Sequence, residues 1–394
     1  MNWIVTELFS PDEVSTALIM TEIAQKKLDY GDVSVICGPA GYEKTYSTQE
    51  HLLDDRIRIH RVKIPNFDKN KLLSRILRLS ILSFKMSFSC FTKIKKGDNV
   101  LLVTNPAFLI ILVALIKKVK NFNLTILVHD VYPENLVPAG ITTHDSTKYK
   151  VLNSLYNFSY RKANKLIVLG EDMRMLMQKK ISGNREVFPS IEVISNWANP
   201  DINPIEINKS DYYSLNLENK VVLGFFGNLG RLQGIIEFVL LFAKADNPNL
   251  SLILLGDGAL KNDLVLKITE KKLDNIHLVG SRSRKEEINF LNACDIGLIT
   301  LKEGMRGLGV PSKTYNLMAV GKPLFYIGDK GSEIDRYIDN FNCGWSFDWS
   351  RADDVVAFLR SISTESFPVI NEKGKCSLNA LKENFTKDRV IHKF

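Results

Sequence analysis

Short apolar runs alternate with longer mixed stretches along the whole chain, the pattern of parallel sheets whose strands are joined by crossover helices. In the first half the runs predict strands at 3–9, 33–37, 57–62, 100–103, 124–129 and 165–169, with a further one at 192–195. Segment 106–116 is apolar on every side, which predicts a helix buried between layers. Residues 199–219, NPDINPIEINKSDYYSLNLEN, are polar without sustained periodicity and read as a linker. The alternation then restarts at 221–226, 250–255, 276–279, 296–300 and 323–327. The expected fold class is therefore α/β, two doubly wound Rossmann-like domains. The first would span 1–200 and the second 201–376, with a terminal helix at about 377–394 packing back on the first.

Composition supports two cores: 394 residues, 45% hydrophobic and 24% charged, suit a folded chain too long for one comfortable core. No stretch reaches the roughly 18 uninterrupted apolar residues of a membrane span. The opening residues MNWIVTELFSPDE lack the basic flank and cleavage site of a signal peptide. Cys37, Cys90, Cys294, Cys343 and Cys376 are odd in number and scattered, without the CxxC spacing of metal or redox sites, so a reducing compartment fits. The expected location is cytoplasmic, peripheral to the inner face of the membrane.

Charge adds one feature to this picture. The net charge is +8, and Lys69 to Lys96 hold eight Lys or Arg with no Asp or Glu. The stretch reads either as a solvated helix with an ordinary buried face or as a surface for anionic or diphosphate-bearing lipid. Nucleic acid also attracts basic patches, but no recognition motif accompanies this one.

Ligands of doubly wound folds sit beyond the carboxyl ends of the strands. GFFGNLGRLQG, 224–234, places Gly227 and Gly230 between a strand and a helix, where backbone N–H groups can approach phosphate oxygens. Glycine there also serves ordinary tight turns; Arg231 adds a cation that would face an admitted anion. Gly256-Asp257-Gly258 ends a second strand and Gly280 a third, opening room for a base and ribose. In GVPSKTYNLMAVGKPL, 309–324, Pro311 and Ser312 start a helix and Gly321 stops it. Lys313 in the first helical turn opposes the helix dipole by roughly 0.3–1 kcal/mol, and a bound diphosphate would reverse that sign. A solvent-exposed lysine would also tolerate the penalty. In the first domain LTILVHDVYPENLV puts His129 and Asp130 at a strand end, with Glu134 on the same loop. A lone histidine is more often a satisfied core or surface residue; the two acids beside it make a reactive site the alternative.

These segments, with FSPDEVSTALIMTEIAQKK, HDVYPENLVPAG, ISNWANP, ACDIGLITL and VPSKTYNLMAVGKP, resemble the family 4 retaining glycosyltransferases of the GT-B fold. Within them the likeness is to bacterial enzymes that build O-antigen, capsule and colanic acid. The resemblance covers nearly the whole chain. It implies two domains facing a cleft and transfer from a UDP-sugar with retained configuration and no tightly bound metal or other cofactor. The implied acceptor is a lipid-diphosphate-linked saccharide, with peripheral contact to anionic membrane through about 69–96.

By the same resemblance His129 contacts the donor sugar near the reacting centre, while Asp130 and Glu134 orient acceptor or sugar hydroxyls. Gly227, Asn228, Gly230, Arg231, Gln233, Gly256, Asp257, Gly280, Ser312, Lys313, Thr314 and Asn316 bind the donor, with Arg231 and Lys313 neutralising the diphosphate and Gly280 near the base. NWAN and PSKTYN hint at an N-acetylated deoxyhexose such as N-acetylfucosamine. The sequence departs from the family in three places. The usual Arg and Lys after the first strand of the second domain fall on Asn228 and Gln233. The paired glutamates fall on Leu308 and Asn316, of which only Asn316 can hydrogen-bond a hydroxyl. The glycine-rich loop after the first strand is replaced by Ser10-Pro11-Asp12-Glu13-Val14-Ser15.

Three other classes compete with this reading. An NAD-dependent oxidoreductase needs GxGxxG after the first strand, and 8–16 contains no glycine. A GT-B UDP-sugar epimerase shares the architecture and needs no lipid acceptor. A non-catalytic sugar-nucleotide-binding protein would bind donor without turnover.

Overall fold

The computed structural model describes residues 1–41, 53–65, 72–182 and 188–394, the side chains of 72, 73 and 75 excepted. Of the basic stretch 69–96, residues 69–71 lie outside the described residues; Leu72–Lys93 form a helix.

The apolar runs become thirteen strands in two sheets, all neighbours parallel among the described residues. In the first sheet are β1 Asn2–Thr6, β2 Val33–Cys37, β3 Ile57–Arg61, β4 Asn99–Val103, β5 Asn123–Val128, β6 Lys165–Val168 and β7 Ser190–Val193, in the spatial order β3-β2-β1-β4-β5-β6-β7. The second sheet holds β8 Val221–Phe226, β9 Leu250–Leu255, β10 Ile276–Leu278, β11 Ile296–Thr300, β12 Leu324–Ile327 and β13 Gly344–Phe347, in the order β10-β9-β8-β11-β12-β13. Every residue of β2, β8 and β9 is buried, because helices cover both faces of a parallel sheet. In the second sheet Val221, Leu223 and Phe225 point to one core with Leu250, Leu252 and Leu254, packed under Phe238 and Phe242 of helix Ile235–Ala245. Each strand order reverses beside its first strand, the place where such sheets open a crevice.

The chain divides into two compact units. Unit 1 is Met1–Ser195 with Gly307–Gly309 and Ile391–Phe394; unit 2 is Asn196–Arg306 with Val310–Val390.

Four expectations need correction. The segment 199–219 is no free linker. It belongs to unit 2, forms the short helix Lys209–Tyr213 capped by Asn208, and is anchored by Lys209 Nζ on Asp295 and by Ile205 N–H donating to Asn292. Buried Ile202, Tyr213 and Leu217 hold it down. The apolar segment expected at 106–116 is helix Leu109–Lys120, and it is not sandwiched between layers. Leu109, Ile110, Val113 and Ala114 pack inward, while Leu115 is 48% and Val119 76% exposed. The terminal helix runs Phe367–Asn384 and packs within unit 2, where Gly374 lets it approach the Gly321 carbonyl. Only Ile391–Phe394 join unit 1, with Lys27 Nζ donating to the Phe394 carbonyl at 2.8 Å. Finally, β1 stops at Thr6 instead of continuing to 9; the Glu7 N–H still donates to the Asn105 carbonyl at 3.1 Å, and its side chain pairs with Arg78 at 2.7 Å.

Candidate active site

In unit 2 the glycine turns after β8, β9 and β10 stack on one another through their backbones. Gly256 N–H donates to the Gly280 carbonyl at 3.0 Å and Gly227 N–H to the Leu255 carbonyl at 2.9 Å. A Cβ on Gly256 would lie 1.9 Å from the Gly227 carbonyl, and one on Gly258 2.5 Å from that of Leu229. These two glycines are thus required by close backbone packing. Gly227 and Gly280 differ from them. Each has positive φ, 118° and 78°, yet a Cβ there would meet nothing within 4 Å, so their backbone borders open space. Asn228 and Arg231 are exposed on the same turn, and Arg231 makes no hydrogen bond or ion pair among the described residues. Asp257 is turned outward instead, accepting from the Gly258 N–H and pairing with Lys261 at 3.1 Å.

Lys313 opens the helix Lys313–Ala319, which Ser312 precedes without donating or accepting a side-chain cap. Its ammonium lies 3.4 Å from the centroid of the Phe225 ring on β8, and Gln233 Oε1 accepts from it at 3.5 Å. No carboxylate pairs with it among the described residues, and burial pushes its pKa well below the usual lysine range. A cation withdrawn from water without a counterion is costly, and an anion at this place would offset the cost. The Thr314 hydroxyl next to it is buried and has no hydrogen-bond partner. Lys313 thus meets Gln233 and Phe225, which lie on either side of the Gly227 turn along the chain.

Asn316 does not join them. Its Oδ1 accepts from the Asn199 N–H at 2.9 Å and its Nδ2 donates to Glu287 Oε1 at 2.8 Å, so both ends of the amide are engaged within unit 2. Each end keeps one further hydrogen-bonding position, a lone pair on Oδ1 and an N–H on Nδ2. Glu287, which the sequence reading passed over, supplies the carboxylate beside it and pairs with Arg284 at 3.3 Å.

In unit 1 the strand β5 ends on His129 and Asp130. The Thr104 hydroxyl oxygen, at the end of β4, accepts from both backbone N–H groups at 3.0 and 3.1 Å, which fixes the turn. His129 Nε2 is out of contact with water and has no hydrogen-bond partner. Burial lowers the His129 pKa to about 4, so the ring is neutral near pH 7, and raises that of Asp130 to about 6. The segment Gly307–Gly309 backs this loop. Leu308, where the family places a glutamate, contributes only its backbone carbonyl, accepting from Val131 N–H at 3.0 Å. Gly307, with φ 75°, is held by Asp172 Oδ2 at 3.0 Å, and a Cβ on Gly309 would stand 3.0 Å from the His129 carbonyl.

Glu134 is engaged within unit 1 through its Oε1, while its Oε2 is buried without a hydrogen-bond partner among the described residues. It lies in the turn Glu134–Leu136 and forms an ion pair at 2.5 Å with Lys180, a lysine only 4% exposed at its side chain. Tyr149 donates to the same carboxylate at 3.3 Å, and Asn153 Oδ1 accepts from Lys180 at 3.0 Å. A buried lysine requires a counterion, and Glu134 is that counterion.

On the loop that replaces the family's glycine-rich turn, Asp12 Oδ1 accepts from the Gly41 N–H at 2.8 Å and Arg61 donates to the Ser10 carbonyl. Among the described residues no cluster of three or more His, Cys, Asp or Glu could hold a metal ion. Burial pushes the thiols of Cys90, Cys294 and Cys343 up to about 12, so none of the three is a nucleophile near neutrality.

Two doubly wound parallel sheets, each with its strand order reversed beside its first strand, are the architecture of the GT-B class. The chain belongs to the glycosyl transferases group 1, whose model matches residues 210–382. It is 33% identical over 395 residues to "Probable glycosyltransferase WbjE" of Pseudomonas aeruginosa, covering 100% of this chain and 96% of that one. Solved structures share the fold. HepE of Anabaena, in complex with UDP and glucose, aligns with a TM-score of 0.71 at 16% identity over 100% of this chain and 97% of its own. WaaG, a glycosyltransferase involved in lipopolysaccharide biosynthesis, gives 0.67 at 13% identity over 100% and 98%. Sucrose-phosphate synthase from Thermosynechococcus elongatus gives 0.75 at 12% over 100% and 96%. No helix among the described residues is long and apolar enough to cross a membrane.

Proposed function

We propose that this glycosyltransferase moves a sugar from a UDP-sugar, in the sense of an N-acetylated deoxyhexose such as N-acetylfucosamine, to a lipid-diphosphate-linked saccharide in bacterial surface-polysaccharide assembly. The observation that carries the donor half is Lys313: an ammonium whose pKa burial lowers, lying over Phe225 and beside Gln233, the two residues that flank the open Gly227 turn in the chain, with no carboxylate paired to it among the described residues. HepE holding UDP and glucose on the same fold supports a uridine diphosphate donor. WaaG, which shares the fold and is involved in lipopolysaccharide biosynthesis, supports an acceptor belonging to the cell envelope. The stretch 69–96 would then meet the membrane that carries the acceptor.

In the reaction the bond between the sugar C1 and the β-phosphate oxygen breaks, and a C1–O bond to the acceptor hydroxyl forms on the same face. The acceptor proton passes to the departing diphosphate, and UDP leaves. Lys313, Arg231 and the backbone N–H groups of the Gly227 turn stabilise the charge that grows on the diphosphate, which is an electrostatic task needing no resident metal. His129, neutral and with Nε2 unpartnered, donates or accepts a hydrogen bond at the donor sugar. Asp130 orients a hydroxyl of the acceptor or the sugar.

Transfer from UDP-sugars to a short-chain lipid-diphosphate saccharide, with the product anomer read by proton NMR, tests this reading. The expected product retains the donor configuration. His129→Ala should lower turnover by roughly a hundredfold while leaving UDP affinity within a fewfold. An inverted product, or full turnover in the variant, would contradict it.

A further inference from the structure

At position 316 an amide stands where a carboxylate was expected, and a carboxylate reaches the same place from another helix of unit 2. Asn316 Nδ2 donates to Glu287 Oε1 at 2.8 Å, while Asn316 Oδ1 accepts from the Asn199 N–H at 2.9 Å. Bonds at both ends fix which way the amide faces, and leave it one N–H and one lone pair. An amide whose N–H is drawn toward a carboxylate is polarised, so its oxygen becomes a stronger acceptor. Glu287 thus lends Asn316 part of the charge that the amide lacks. The Arg284 guanidinium stands 3.3 Å from Glu287 Oε2, which is out of contact with water and accepts no hydrogen bond. The carboxylate is therefore balanced by a cation on one oxygen and committed to Asn316 on the other.

This cluster lies between the two features of unit 2 that suit the ends of a nucleoside diphosphate. Asn316 follows Lys313 by three residues in the helix Lys313–Ala319, which puts the two on one side of it, about 4.5 Å apart along the axis. Glu287 follows the open Gly280 backbone through the turn Arg284–Glu286, whose start is fixed by Ser283 Oγ accepting from the Lys285 N–H. The cluster meets water at its edge, since the side chains of Glu287 and Arg284 are 16% and 23% exposed. In a nucleoside diphosphate the ribose joins the base to the phosphates. A group between a phosphate-seeking cation and an open glycine turn therefore faces the ribose, whose hydroxyls each donate and accept.

We infer that Glu287 is a positioning residue for the ribose of the donor: it holds and polarises the Asn316 amide so that the remaining N–H and lone pair of that amide meet the ribose hydroxyls. The inference rests on the reading of a nucleoside diphosphate donor and assigns its ribose selectivity to a residue outside the segment that carries Lys313. A mere brace between two helices would make the same hydrogen bond, but would not read a hydroxyl.

The test is calorimetric titration of the whole protein with UDP, 2′-deoxy-UDP and 3′-deoxy-UDP, with far-UV circular dichroism on each variant. The native protein should bind at least one deoxy analogue about tenfold more weakly than UDP, the worth of one hydrogen bond to a ligand hydroxyl. Glu287→Ala should lose about that factor for UDP and little for the analogue, so that the two bind alike. Glu287→Gln, which keeps an oxygen for the Asn316 amide, should restore most of the discrimination, and Asn316→Ala should abolish it with Glu287 still in place. Lys313→Ala should weaken all three ligands together and keep their ratio. Equal affinity of the native protein for UDP and both analogues, or a Glu287→Ala protein that keeps the native ratio, would overturn the inference while leaving the donor reading standing. Failure of the native protein to bind UDP would overturn the donor reading itself, and the ribose assignment with it.

Discussion

The two sheets share a strand order and differ in what they place at their carboxyl ends. In unit 2 the rim is made of backbone: Gly227 and Gly280 border open space, Gly256 and Gly258 are locked by neighbouring carbonyls, and one cation, Lys313, stands over Phe225. In unit 1 the rim is made of side chains: Thr104 fixes the turn at His129 and Asp130, and Glu134 is bound to Lys180. The same scaffold thus offers open glycine turns and a buried cation on one sheet and a pair of displaced titrations on the other. Burial is the cause on both sides. It disfavours the charged form, so Lys313 and His129 move down and Asp130 moves up. The difference lies in which charge has been given a partner inside the protein.

The largest expected effect comes from disturbing the buried ion pair of Lys180 and Glu134 in unit 1. Lys180→Met leaves the Glu134 carboxylate buried with Tyr149 alone, and should cost about 3–5 kcal/mol of stability in urea unfolding. A loss below about 1 kcal/mol would show that Glu134 is free to turn outward, restoring it as a candidate for sugar contact.

A second, smaller effect separates the two neighbours at the end of β5. The folded pKa of His129, about 4, lies below its ordinary 6.5, so its contribution makes stability rise as pH climbs through that interval. The folded pKa of Asp130, about 6, lies above its ordinary 3.8, so ionising it in the folded state makes stability fall as pH climbs from about 4 to 6. The two slopes oppose each other in the native protein. Asp130→Asn removes one, and its melting temperature should then rise more steeply with pH between about 4 and 6.5 than that of the native protein, by a total on the order of 2–3 kcal/mol. Parallel profiles would mean that the two groups are not buried as described.

Much of this was legible in the chain itself. Twelve strands were read from apolar runs because parallel strands buried on both faces are written as continuous hydrophobic segments. The thirteenth, β13 Gly344–Phe347, was not, since GWSF at a sheet edge carries no such run. Helix Leu109–Lys120 misled for the opposite reason. An apolar circumference predicts burial on both sides, while Leu115 and Val119 of this helix are exposed. At the site, glycines and Lys313 could be placed because strand ends fix backbone position. The partners of Glu134 and Asn316 could not, because Lys180 lies 46 residues and Glu287 29 residues away along the chain. Such pairings are set by tertiary packing and leave no local pattern.

The most direct test of the central claim, that unit 2 holds a uridine diphosphate on Lys313 and the Gly227 turn, is calorimetric titration of the native protein and Lys313→Ala with UDP, GDP, ADP and NAD in the absence of metal. The account predicts selective binding of UDP and a loss of roughly tenfold to a hundredfold in the variant, the worth of a charge-assisted hydrogen bond. Preference for NAD, or UDP affinity unchanged by removing Lys313, would contradict it.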